Sequence, residues 1–261
     1  MSVSKKNIFR FNENLTIRLI VVTCLMSITL SLSAQNTLGT TGLLNSPSAE
    51  MQRDGTVMFG GNFLNKHITP SDFRYHTYNY FLNITFVDFV EASYVCTLLK
   101  ATDEFVPHKK GRFVNQDRSL SLRVRLLKES QYWPAVVVGS NDIYTQVNGG
   151  VIAAETENNY FSRFYVATTK NVKTSVGVVG FHLSYVFNRR SNLNDKVDGI
   201  AGGICFKPNL VPQLNLIAQY DSKDFCIGAN YLLFDHLFTQ VVLQQGRYLT
   251  AGFAYKIYLK K

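Results

Sequence analysis

The sequence predicts an all-β protein, an antiparallel transmembrane β-barrel of about twelve strands behind an N-terminal signal peptide. Three observations carry this expectation. In residues 117–144, Leu120, Leu122, Val124 and Leu126 alternate with Ser119, Ser121, Arg123 and Arg125. Strand side chains switch faces at every residue, so this stretch has one apolar and one charged face, and the charged face needs water or polar partners. The turn that follows, 128–131, leads to Tyr132 and Trp133, amphipathic rings of the kind found at a membrane–water boundary, and then to a second apolar strand, 133–140. Second, beyond the leader no run of about 20 apolar residues offers a membrane helix. Third, long and short connections alternate along the chain, as they do when short turns face the periplasm and long loops face outside.

The leader comes first. Lys5, Lys6, Arg10 and Arg18 against Glu13 give residues 1–34 a net charge of +3, out of +9 for the whole chain. An apolar run over 19–32 follows and ends in Ser31-Leu32-Ser33-Ala34. This is the pattern of a secretory signal peptide cleaved after Ala34. Cys24 lies in the middle of the apolar run, which argues against a lipid anchor. Secretion excludes nucleic acid as a partner, and the remaining +6 is a weak pull toward acidic ones.

Residues 35–54 contain turn residues and no period, and Pro47 bars a central strand. The segment is expected on the periplasmic side or tucked into the barrel as a plug, with Leu43, Leu44 and Pro47 as the plug residues. About eight strands are the most that side chains alone can fill, so a twelve-stranded lumen must hold either water or such a segment.

The barrel itself occupies 55–261. Its expected strands are 55–64, 75–86, 89–99, the hairpin already described, 160–169, 174–187, 199–206, 213–221, 225–233, 237–244 and 248–259. In 75–86, Tyr78, Tyr80, Leu82, Ile84 and Phe86 face out while Thr77, Asn79, Asn83 and Thr85 face in. In 89–99, Glu91, Ser93 and Thr97 face in, and in 174–187 His182 and Ser184 do. The last connections, Ser222-Lys223 and Gly246-Arg247, are both short, so one side of the outer rim is expected to be low. In the last strand Thr250, Gly252, Tyr255 and Ile257 match the polar-x-Gly-x-x-aromatic-x-apolar spacing that outer-membrane proteins show to the barrel-assembly machinery. Cys96, Cys205 and Cys226 are an odd set, read as small apolar fillers, with a Cys205–Cys226 bridge as the alternative.

Several stretches carry a family resemblance. They are Gly42-Leu43-Leu44-Asn45-Ser46-Pro47-Ser48-Ala49 with Asp54-Gly55, then 117–127, Trp133-Pro134-Ala135, Val138-Gly139, Asp142-Ile143, 214–221 and 227–231. Together they span most of the mature chain, which resembles the YjbH family of outer-membrane proteins linked to exopolysaccharide production. The resemblance implies a barrel encoded beside polysaccharide assembly genes, with no enzymatic site to carry over. It also implies that this short chain performs part of the task of longer members.

Function readings follow from the lumen. Arg123, Arg125 and Arg163 facing inward offer a path for an acidic polymer, or, with Glu91, an ion-pair network that fills the barrel; the second is favoured because a polar lumen is compulsory. His182-x-Ser184 resembles the His-x-Ser of outer-membrane lipid A deacylases, but alternation turns it away from lipid and no acidic partner is placed beside it. Asp103, Glu104, Asp195 and Asp198, and His108 to Lys110, read as solvated loop charge, since no spacing matches a calcium loop. No cofactor or metal is expected. The first reading is a non-enzymatic outer-membrane barrel assisting export or surface assembly of an exopolysaccharide. It would meet outer-membrane lipid, the barrel-assembly machinery, the polymer and its export proteins. A small porin for polar solutes and a lipid-modifying enzyme are the alternatives.

Overall fold

Alternation of apolar and polar residues yields twelve strands, each hydrogen-bonded to the next, in a computed structural model that describes residues 33–145, 160–188 and 198–260. They are β1 Thr56–Leu64, β2 Thr77–Val87, β3 Val90–Lys100, β4 Phe113–Leu127, β5 Ala135–Thr145 and β6 Arg163–Lys173. The second half comprises β7 Gly177–Asn188, β8 Gly199–Pro208, β9 Leu214–Tyr220, β10 Phe225–Leu233, β11 Leu237–Gln244 and β12 Tyr248–Tyr258. Every neighbouring pair is antiparallel, and β1 pairs with β12 from Thr56↔Tyr258 to Phe63↔Ala251. The sheet closes on itself and leaves no edge strand, so the paired stretches of the wall satisfy one another's backbone N–H and C=O groups without water. No helix among the described residues is long and apolar enough to cross a membrane; the crossing here is made by strands. The expected signal peptide falls almost wholly on residues outside the described ones; its last two expected residues, Ser33 and Ala34, are described and buried with the segment that follows them.

The outer surface is apolar. Tyr78, Tyr80, Leu82, Phe181, Leu183, Tyr185, Phe253 and Tyr255 are all exposed on it. In water such a continuous band would drive association, whereas lipid solvates it. Rings gather at both ends. Phe86, Phe89, Tyr132, Trp133 and Phe234 mark the short-turn end, and Tyr78, Phe113, Phe187 and Phe225 the other. These are the two aromatic girdles of a membrane barrel.

Connection lengths alternate as expected, and the low rim is real. Only four residues separate β9 from β10 and three separate β11 from β12, and β9 and β11 are themselves short, with seven and eight residues. At the β11–β12 turn Gln245 and Gly246 both have positive φ, as Phe234 and Asp235 do at the β10–β11 turn. Two left-handed residues in succession give the turn twist that a tight hairpin needs.

Some boundaries differ from the sequence reading. β6 runs to Lys173 rather than ending at 169, because Glu129 from the neighbouring turn accepts both the Asn171 backbone N–H and its side-chain amide, at 2.7 Å each. That clamp holds residues 170–173 in the sheet. β5 begins at Ala135, so Trp133 belongs to the turn. The three mature cysteines are free and buried, so the Cys205–Cys226 bridge is not formed.

A filled lumen as the candidate functional site

The inward face is polar but not uniformly so. Asn62, Asn79, Asn83, Glu91, Ser93, Ser121, Arg123, Asn141, Asn215, Asn230, Gln240 and Lys256 are buried there. Between them lie apolar patches. One groups Ala135, Val137, Tyr165, Ala167, Val186 and Ala201 with Ala49 and Met51, and another groups Cys205, Ile217, Cys226 and Val242 with Ala34, Leu43 and Leu44. In both, the N-terminal segment covers apolar wall residues that would otherwise face water.

This segment, residues 33–52, crosses the lumen as a folded strap. Two short bridges, Gln35↔Thr41 and Gly42↔Pro47, and the backbone bonds Thr37 N–H to Leu44 O and Leu43 N–H to Ser46 O shape it. Leu43, Leu44 and Pro47 are all buried. The wall grips it by its backbone from almost every side. The Asn62 and Asn79 amides donate to Thr37 O at 3.3 and 2.8 Å, and the Asn83 amide to Gly39 O at 2.9 Å. Glu91 Oε1 accepts the Thr41 N–H at 2.7 Å, and Thr169 Oγ1 the Ala49 N–H at 2.8 Å. On the far side Gln219 accepts the Asn45 N–H at 3.3 Å, Lys207 pairs with Glu50 at 3.0 Å, and Lys256 donates to Gln52 at 3.0 Å.

The expected site residues fall into this arrangement unequally. Arg123 is fully buried and donates through Nη2 to Ser48 O at 2.7 Å and Glu50 O at 2.6 Å. Arg163 donates to Asn45 O at 3.0 Å and to Asn141 Oδ1 at 2.9 Å. Glu91 and Arg123 are direct partners across β3 and β4. Even so, among the described residues neither Arg123 nor Arg163 forms an ion pair with Glu91. The arginines take carbonyls of the strap and the carboxylate takes an amide, so the expected ion-pair network is replaced by side-chain-to-backbone bonds. Arg125 lies at the lip, where it binds Asp88 of the β2–β3 turn at 2.9 Å, and does not line a path through the lumen. His182 bonds Thr169 through Nδ1 at 2.9 Å and Cys205 Sγ through Nε2 at 3.2 Å, and Ser184 donates to Ala201 O at 3.2 Å. Both are buried in the lumen, and their hydrogen bonds go to these other residues.

Sequence reasoning missed Lys256, Lys207 and Glu50. Lys256 was detectable, since a lysine between outward-facing Tyr255 and Ile257 must point into the lumen.

The glycine of the C-terminal spacing has a local task. A Cβ on Gly252 would lie 1.9 Å from Asn62 Oδ1, the oxygen that accepts a bond from Gln240 at 2.9 Å. Asn62 can lie across Gly252 only because no side chain stands there. Gly252→Ala is expected to displace Asn62 from the strap and to destabilise the barrel by about 1–3 kcal/mol, read as a lowered denaturant midpoint in detergent.

At the low rim, Asp224 gathers the long first loop. It accepts from His67 at 2.9 Å, from Gln244 at 3.1 Å and from Gln245, while His67 stacks on Tyr248 at 4.3 Å. Burial works against the charge on Asp224, but the bonds from Gln245, His67 and Gln244 outweigh it and hold the carboxyl below its ordinary value. A depressed carboxyl contributes stability that is fully present above its unfolded pKa, about 3.9, and is lost as pH falls through the folded value. The hold of Asp224 on His67 is therefore present at neutral pH and is lost in acid, below the ordinary carboxylate range, while Asn65 and Phe73 keep their own contacts in loop 65–76. Hydrogen exchange over that loop should rise there, and Asp224→Asn should show the released rate at every pH.

These features define a closed, internally strapped, twelve-stranded membrane barrel. Residues 34–261 match the YjbH family, described as exopolysaccharide biosynthesis protein YbjH, and the chain belongs to it. No curated protein matches the chain. Among solved structures it is similar to the Acinetobacter baumannii outer membrane protein Omp33, at 11% identity and TM-score 0.40, covering 78% of this chain and 97% of that one. It is also similar to outer membrane phospholipase A from Escherichia coli, at 12% identity and TM-score 0.36, covering 78% and 92%. The calcium-bound Salmonella typhi phospholipase dimer gives 12% and 0.35, covering 78% and 89%. At such scores nothing about site or activity passes to this chain.

Proposed function

We propose that this barrel resides in the outer membrane and assists export or surface assembly of an exopolysaccharide without catalysing a reaction. The observation that carries the reading is the family match over residues 34–261, whose description names exopolysaccharide biosynthesis. The apolar outer wall with its two girdles supports the membrane location. The strap argues against a diffusion pore, because buried side chains and backbone occupy the space a solute would cross. Buried His182 and Ser184, bonded to Thr169, Cys205 and Ala201, support a role without hydrolysis of lipid. The partners in this reading are outer-membrane lipid, the assembly machinery that would take the last strand, and the polymer with its export proteins. The test is removal of the chain from its host, with complementation by the wild type and by Ser184→Ala, which alters the His-x-Ser pair and leaves His182 in place. Loss of surface polysaccharide, restored by both, is expected. Unchanged polysaccharide on removal overturns the role, and failure of Ser184→Ala alone overturns the non-enzymatic part.

A further inference from the structure

We propose that Glu50, His182 and Cys205 bind a zinc ion that clips the internal strap to β7 and β8. One donor atom from each lies within 4.8 Å of the others, and His182 Nε2 stands 3.2 Å from Cys205 Sγ. Zinc bonds of about 2.3 Å to sulfur and about 2.0–2.1 Å to nitrogen separate two tetrahedral ligands by about 3.5 Å, so the pair needs to part by only a few tenths of an ångström.

The surroundings are arranged for an ion as well as the ligands are. Thr169 Oγ1 takes the Ala49 N–H with one lone pair and has a second for His182 Nδ1–H, 2.9 Å away. That bond leaves the Nε2 lone pair turned toward Cys205, the usual setting of a metal-bound histidine. Gly180 keeps the space in front of these atoms open. A Cβ there would lie 2.6 Å from Cys205 Sγ, 2.9 Å from His182 Nε2 and 2.8 Å from Asn171 Oδ1. That Asn171 oxygen is buried and accepts no bond from the protein, because Glu129 takes the donors of the same residue. An oxygen lone pair, an imidazole nitrogen and a sulfur thus converge on one small space. Asn171 is placed to hold a water as the fourth ligand.

The donor set selects the metal. A thiolate with an imidazole suits zinc and is foreign to calcium or magnesium, which take oxygen. On binding, the Cys205 thiol proton leaves to solvent, a Zn–S bond forms and nothing is oxidised. One Glu50 oxygen keeps Lys207, 3.0 Å away, while the other turns to the ion. Glu50 stands just before β1, so the ion would fasten the strap close to where it enters the barrel.

The test uses the full chain in detergent, reduced, stripped with a chelator and titrated with Co2+. One cobalt per chain is expected, with a thiolate-to-cobalt charge-transfer band and tetrahedral visible bands, all displaced by Zn2+. Cys205→Ser should abolish the charge-transfer band, whereas Cys96→Ser and Cys226→Ser should keep it. Gly180→Ala, which fills the space, and His182→Ala should each weaken binding by about tenfold or more, with heat-modifiable migration on gels reporting an intact barrel. Absence of the charge-transfer band in the intact chain, or its survival in Cys205→Ser, overturns the proposal.

Discussion

A chain lacking residues 35–50 is expected to conduct ions steadily in a planar bilayer, where the intact chain stays closed. Twelve strands enclose more space than their own side chains can fill, and in this barrel the difference is made up by the strap. Leu43 and Leu44, both fully buried, would leave the lumen, each removing about 1.5–3 kcal/mol of apolar burial. The wall residues they and Ala49 help to cover, among them Val137, Ala167, Val186 and Ile217, would be wetted. Glu91, Arg123 and Arg163 would lose their strap partners and face the new water column. The deleted barrel should therefore be both leaky and less stable. Conductance equal to that of the intact chain would refute the strap as the closure.

Arg123→Ala is the point substitution with the largest expected effect. Its guanidinium bonds two strap carbonyls from a fully buried position, and the alanine takes that donor from both acceptors. Charged hydrogen bonds of this kind are worth about 1.5–3 kcal/mol each, and orphaned buried acceptors cost about as much. A loss of about 2–3 kcal/mol is expected, read from denaturant unfolding in detergent, together with transient conducting events as the strap loosens. Arg125→Ala provides the contrast. Its partner Asp88 is half exposed at the lip, so a change below about 1 kcal/mol is expected. Equal effects from the two would mean that Arg123 does not hold the strap.

The strands were legible because membrane and lumen demand opposite chemistry on alternate residues. Tyr78, Tyr80 and Leu82 against Asn79 and Asn83 leave one register. Connection lengths disclosed the low rim for a similar reason, since loops at one end carry no membrane constraint. The lumen was much less legible. Val137, Ala167, Val186 and Ala201 face inward, yet as isolated apolar residues they look the same as lipid-facing ones. Nothing in their own strands states that Ala49 and Met51 will cover them. The partners of Arg123 were hidden for a different reason. Its cross-strand neighbour Glu91 is the obvious counter-ion in sequence, whereas its acceptors are backbone carbonyls 73 and 75 residues earlier, which no side chain advertises. The run to Lys173 in β6 depended on Glu129 in another turn, a contact that strand periodicity does not report.

The strap leads directly into β1, while its contacts reach β9 and β12, so that Asn45 meets Asp221 across 176 positions of the chain. Pairings so distant in sequence form late and slowly. The strap's bonds to Gln219 and Lys256 therefore need the last strands in place, so that filling the cylinder and closing it at β1 and β12 are coupled.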